Sequence, residues 1–338
     1  MMADSVGSPP FQHRQSAHCE SGVVANLLSH NGLKISEPMA FGLSSSLAFA
    51  YIPIVKMAGL PLIAYRMPPG NVIRGVEKRL NMRWVRQTFR DPAEGARELD
   101  AQLGQGRAVG LQTCVYWLPY MPEDMRFHFN AHNLVAYARD GVDYLVSDPI
   151  FEDFNRCDPA SLQKARFAKG AMASHGLLYY PTQVPSEIDY EPAIRGAISR
   201  NYKYMTKAPL PVIGVNGIRY LGRTIDKLGK DPAKREKYLP AFLGHIVRMQ
   251  EEIGTGGAGF RFLYASFLQE SAKLLNNTLL AEAAKDLTDA GDEWRRFALQ
   301  STKMCRGRAK MDTAQLAGIL NDIADRELAV WKKLRALG

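Results

Sequence analysis

The chain has 338 residues, 46% hydrophobic and 23% charged, enough for one large domain or two of ordinary size and unlike a disordered or fibrous protein. It lacks an apolar run of roughly eighteen residues, so no membrane span is expected. The net charge of +9 is uneven: residues 1–185 hold 18 Lys/Arg against 16 Asp/Glu, and residues 186–338 hold 25 against 18.

Residues 1–10, with Asp4 and neither a basic start nor an apolar centre, do not read as a secretory signal, and a short disordered leader is expected before Phe11. Glu20–His30 predicts a helix that stops at Asn31-Gly32. A stretch rich in glycine, serine and aromatics follows from Leu33 to Tyr51, then a second helix to Ala58 and a short strand over Leu60–Tyr65. After Met67-Pro68-Pro69-Gly70 come a helix over 71–80 and a strand over 83–88. Asp91-Pro92 then opens a helix with Ala96, Leu99 and Leu103 on one face. The period then changes. Ala108–Tyr116 predicts a buried strand, His132–Arg139 and Asp143–Ser147 flank the turn Asp140-Gly141 as a hairpin, and Gly176–Tyr180 is a further strand ending at Pro181. Helices first and paired strands later give an α+β domain rather than a doubly wound one. From about Glu187 the pattern is helical, over 203–228, 238–253, 258–275, 279–289, 292–304 and 312–334. The proline-rich segment Pro181–Pro192 therefore divides a domain over 11–185 from an all-helical domain over 186–338.

Four cysteines, Cys19, Cys114, Cys157 and Cys305, are scattered without a CxxC pair, which points to reduced thiols in the cytoplasm and to neither a metal site nor a cofactor. Cys19 stands at the start of the first helix, where unpaired backbone N–H groups and the helix dipole favour a thiolate and could also receive an oxyanion. His132 opens the first hairpin strand and Asp148 ends the second. The turn brings them together, so that the carboxylate can orient the imidazole while the other ring nitrogen takes the thiol proton. His128 is the rival base in HFNAH; His132 is preferred because it starts the strand paired with the one leading to Asp148. His13 and His18, near Cys19, are expected to bond locally. Tyr116–Tyr120 follows a buried strand, and its aromatics either wall a cleft or pack. The glycine run Gly254–Arg261 lacks the Walker Lys-Ser/Thr ending; it is either a turn between helices or a cradle for a phosphate. The basic excess between Arg195 and Lys237 lacks a recognition-helix or RNA-binding signature, which leaves an acidic partner or a solvated face.

The stretches HCESGVVANLLSHNGLKISEPMAFGLSSSLAFAY, VYWLPY and HNLVAYARDGVDYLVSDP resemble, in the same order, the N-terminal domain of the butirosin-type aminoglycoside acyltransferases. GGAGFRFLYASFLQESA and GDEWRRFA resemble the helical domain that often follows it. The resemblance implies a papain-like fold and transfer of an acyl or aminoacyl group from an acyl carrier protein to an amine. In that reading Cys19 is the nucleophile, His132 the base and Asp148 the orienting acid. The fold is also similar to bacteriocin-processing cysteine peptidases, which keep a glutamine six residues before the cysteine. Here that position is His13, flanked by Gln12 and Gln15, so the oxyanion donor stays open. The expected function is acyl transfer to an amine or hydroxyl acceptor of small-molecule size. A cysteine peptidase or amidase is the alternative, and a non-enzymatic binding protein a third class; neither nucleic acid nor membrane is an expected partner.

Overall fold

The computed structural model describes residues 11–57 and 59–337; the expected leader over 1–10 and the helix end expected at Ala58 lie outside the described residues. In chain order, α1 (Cys19–His30) and α2 (Glu37–Leu43) precede the strands β1 (Leu47–Met57) and β2 (Leu60–Arg66). Then come α3 (Asn71–Arg79), β3 (Arg83–Gln87), α4 (Pro92–Gly104) and β4 (Val109–Thr113). The hairpin of β5 (His132–Asp140) and β6 (Asp143–Ser147) leads to β7 (Asn155–Cys157), α5 (Pro159–Arg166) and β8 (Leu178–Gln183). The remaining helices are α6 (Tyr190–Thr206), α7 (Gly214–Gly229), α8 (Pro232–Lys237), α9 (Leu239–Val247), α10 (Arg261–Leu275), α11 (Thr278–Cys305) and α12 (Thr313–Leu334). None of the described helices is long and apolar enough to cross a membrane.

The first compact unit comprises residues 11–40 and 72–188. Its six-stranded sheet has the order β3-β8-β4-β5-β6-β7, every neighbouring pair antiparallel. Leu99 and Leu103 of α4 and Leu162 of α5 join Leu111, Leu134 and Val146 of the sheet in one buried core. α1 lies against β5, β4 and β8 and buries Val23, Val24, Leu27 and Leu28 completely. At about 1.5–3 kcal/mol per fully buried aliphatic side chain, that face holds the helix in place more firmly than its helix propensity does. β8 runs on through Pro181, where a strand end is expected; the register shift at Arg83/Trp84 accommodates a residue without an N–H. The six strands and the helices packed on them make this an α+β unit.

The second unit comprises residues 41–71 and 189–337, so it differs from a linear division at 185/186. Helix was expected before Ala58, but β-branched Ile52, Ile54 and Val55 lie in β1, which pairs antiparallel with β2. Side chains of this unit's helix α6 satisfy the backbone near the hairpin: Asn201 Nδ2 donates to Leu47 O (2.5 Å), and Ser45 Oγ donates to the α6 carbonyl of Ala197 (3.1 Å). The expected helix over 203–228 is broken between α6 and α7, where Pro209 and Pro211 lie. Conversely, α11 runs unbroken through Gly291, where a helix break was expected. An added Cβ there would lie 2.6 Å from the Phe262 ring, so the glycine serves packing.

The glycine run Gly254–Arg261 is a compact turn whose amides face an internal carboxylate. Ala258 N donates to Glu251 Oε1 (3.2 Å) and Oε2 (3.3 Å), and Gly257 N donates to Thr255 Oγ1 (3.1 Å). The turn delivers Arg261 into the core, where it meets Glu327 through Nε (2.9 Å) and Nη2 (3.1 Å), while Trp294 Nε1 donates to the same carboxylate (2.7 Å). A structural turn is therefore what the run forms, and the amide of Ala258 that a phosphate would use is already engaged.

Candidate active site

α1 begins at Cys19, and its N-cap is His18, whose extended backbone turns the chain into the helix and whose Nδ1 accepts from Ser21 N at 3.3 Å. Glu37 holds the turn ahead of it: its carboxylate accepts from Ala17 N (2.9 Å), His18 N (2.7 Å) and Ser21 Oγ (3.0 Å). Burial pushes the Glu37 carboxyl upward, and these three donors pull it back. The Cys19 side chain lies at the helix N-terminus with 8% of the residue exposed and Sγ 4.0 Å from Ala131 O.

The β5–β6 hairpin sets the other two residues. Its register pairs Val135 with Ser147, which carries the chain end of β6 back beside the start of β5. His132 Nε2 consequently lies 2.6 Å from Asp148 Oδ2, with both side chains buried. A side-chain hydrogen bond also links His132 to Cys19. Burial alone would drive His132 toward the neutral form. The adjacent Asp148 carboxylate, with a smaller contribution from Cys19, outweighs it and raises His132 to about 10. The carboxylate thus favours the protonated imidazole, and Cys19 adds to the same effect. The second Asp148 oxygen accepts from Ile150 N (3.3 Å), and Oδ2 also accepts from Tyr120 Oη (3.0 Å).

The segment before Cys19 is tied to the loop that carries Asp148. Ser16 N donates to Pro149 O (2.7 Å), His13 bonds Ser147 Oγ (2.7 Å) and Phe151 O (3.0 Å), and Gln15 Nε2 donates to Ile150 O (3.4 Å). Gly22 permits this approach: a Cβ there would lie 2.6 Å from Ser16 Cβ and 2.7 Å from Pro149 Cβ. His18 bonds locally, to Ser21, as expected, whereas His13 reaches across the fold to the loop that carries Asp148. His128 lies elsewhere, with Nδ1 4.0 Å from Cys114 Sγ and its ring stacked on Tyr116 at 4.1 Å. Of the aromatic run, Tyr120 alone turns to Asp148. Tyr116 and Trp117 remain partly exposed, with Lys164 over the Trp117 ring at 5.3 Å. Glu37, and the bond of Tyr120 to Asp148, escaped the sequence reading: neither residue stands in a motif with the ones it holds, and the fold makes them neighbours.

Residues 18–149 match the family model described as "Butirosin biosynthesis protein H, N-terminal", a span that runs from the residue before Cys19 to the residue after Asp148. Residues 160–334, about half of the chain, match "Domain of unknown function (DUF4872)". The chain belongs to the family of this second model, and its N-terminal part matches the first. The first match spans the α1, β5 and β6 framework that gathers Cys19, His132 and Asp148. No curated protein matches the sequence. A solved structure described as a C39-like peptidase from Bacillus anthracis is 15% identical, covers 53% of this chain and 96% of its own, and superposes with a TM-score of 0.37.

Proposed function

We propose that the protein is a cysteine acyltransferase that carries an acyl or aminoacyl group on Cys19, taken from an acyl carrier protein thioester and given to an amine or hydroxyl. Family membership implies an enzyme of a biosynthetic pathway. The observation that supports the finer reading is the buried 2.6 Å contact between His132 and Asp148, with Cys19 hydrogen-bonded to the same imidazole. The Cys19 sulfur attacks the donor carbonyl, and the resulting oxyanion is received near the first turn of α1. As the intermediate collapses, the donor C–S bond breaks and the His132 imidazolium hands its proton to the departing thiolate. An acceptor amine then attacks the Cys19 thioester and loses a proton to neutral His132, and the sulfur leaves as thiolate. The starting state of the two side chains is restored, and protons and charges balance.

A carrier would meet the second unit's cations. Among the described residues, Arg219, Lys230 and Lys234 are ion-paired with Asp325, Asp226 and Asp231, whereas Arg223, Lys227, Arg235 and Lys237 are exposed without an ion-pair partner. These four are candidate docking charges within 219–237; Lys203 and Lys207 earlier in the stretch are exposed as well. Intact-mass spectrometry with a panel of acyl-loaded carrier proteins tests the function. The expected result is an acyl adduct on Cys19 that persists until an amine is supplied. Rapid loss of the adduct to water would make the protein a hydrolase, and no adduct with any carrier or small thioester would refute the reading.

A further inference from the structure

Tyr120 lies far from Cys19 in sequence, in the loop between β4 and β5 that includes two short 3-10 turns, Val115–Trp117 and Glu123–Met125. Leu118 and Met121 on either side of it are anchored in the core. Its ring meets Phe151 edge-on at 5.5 Å, and Phe151 O is the acceptor for His13. Its hydroxyl reaches Asp148 Oδ2 at 3.0 Å, the same oxygen that His132 Nε2 meets at 2.6 Å. One fully buried carboxylate oxygen thus takes two donors, while Oδ1 takes Ile150 N.

We infer that Tyr120 is a positioning residue of this site: its phenol fixes Asp148 in the orientation His132 needs and shares the charge of Oδ2, setting how tightly the imidazole keeps its proton. The inference rests on the proposed roles of Cys19 and His132 and adds a residue to them. A hydrogen bond given to Oδ2 withdraws negative charge from it, so the carboxylate holds the imidazolium less strongly than an unshared one would. That matters because His132 must release its proton to the departing thiol and take one from the acceptor in each cycle. The phenol can act this way at every working pH. Burial and the charge of Asp148 hold Tyr120 well above its usual range, so its proton stays in place. The other titratable group beside it, Cys157, is pushed up to about 12 by burial and stays neutral. Around His132 the charged neighbours are Asp148 and the Cys19 sulfur.

The test is the His132 titration followed by NMR in histidine-labelled full-length protein, the signal assigned by its loss in His132→Gln. Tyr120→Phe keeps the ring and removes only the donor. Its His132 midpoint should rise by about half to one pH unit, with slower acyl loading from a small thioester. Site-specific 3-fluorotyrosine at position 120, a stronger donor of nearly the same shape, should move the midpoint the opposite way and keeps the test open if Tyr120→Phe fails to fold. A purely structural role lowers the melting temperature and leaves both midpoints in place, and that result overturns the inference. Failure of the acyltransferase reading is separable: it appears as a wild-type protein that forms no Cys19 adduct, whatever the midpoints do.

Discussion

Asp148→Asn isolates the electrostatic part of the site, because asparagine keeps the shape and removes the charge. In the wild type the carboxylate raises His132 to about 10 against the opposing effect of burial. Without it, only the smaller contribution of Cys19 opposes burial, and the ring should titrate near or below its ordinary value of about 6.5. The loss exceeds three pH units, on the order of 5 kcal/mol of hold on the imidazolium proton at 1.36 kcal/mol per unit. At pH 7 the ring would change from positive to neutral, and the sulfur would lose its cationic neighbour. Acyl loading on Cys19, followed by intact mass, should slow by roughly 10³–10⁴-fold, as when the orienting acid of a comparable triad is removed. Stability carries the same signature. His132 has its folded pKa raised, so its contribution is fully present below about 6.5 and is lost as pH climbs through about 10. Urea unfolding at several pH values should show the wild type losing stability relative to Asp148→Asn between pH 7 and 10. A variant whose His132 still titrates near 10, or whose loading rate matches the wild type, would refute the reasoning.

Gly22→Ala should lose about 1–3 kcal/mol in urea unfolding and slow acyl loading, because the added methyl collides with Ser16 and Pro149; wild-type behaviour would mean the segment before α1 moves aside freely. Replacing Arg223, Lys227, Arg235 and Lys237 with Glu should slow loading from a carrier-bound donor and spare a small free thioester. Raising salt from about 50 to 200 mM should mimic this effect, and equal rates with both donors would remove the docking face. Iodoacetamide at pH 7 should modify Cys19 before the other cysteines: Cys114 and Cys157 are completely buried, and burial pushes the Cys157 and Cys305 thiols up. Faster modification of Cys305, the more exposed thiol, would show that access rather than an adjacent imidazolium governs reactivity.

Local signals in the sequence were sufficient for several elements. Asp140-Gly141 between two apolar runs specifies the hairpin, and its register alone puts His132 beside Asp148. Asn31-Gly32 and Asp91-Pro92 mark helix ends because their backbone and side-chain preferences act within a few residues. The strand over Leu47–Met57 was not legible. Its β-branched run is short and carries Pro53, and its pairing with β2 and its support from Asn201 come from elsewhere in the chain. For the same reason the membership of residues 41–71 in the helical unit could not be read from a linear boundary. Gly291 looked like a helix end because a glycine lowers helix propensity, whereas its missing side chain makes room for Phe262. For Gly254–Arg261 the sequence left a turn and a phosphate cradle both open, and the carboxylate of Glu251, which takes the Ala258 amide, decides for the turn. The choice between His128 and His132 shows the same division. Sequence spacing could offer both, and the loop that stacks His128 on Tyr116 leaves His132 as the imidazole that meets Cys19. Residue types and short-range spacing thus determined the place of Cys19 at a helix start, the hairpin and most helices. Tertiary closure decided which polar groups share a buried, low-dielectric space, and it is there that Glu37 comes to hold the turn before Cys19 and Tyr120 to hold Asp148.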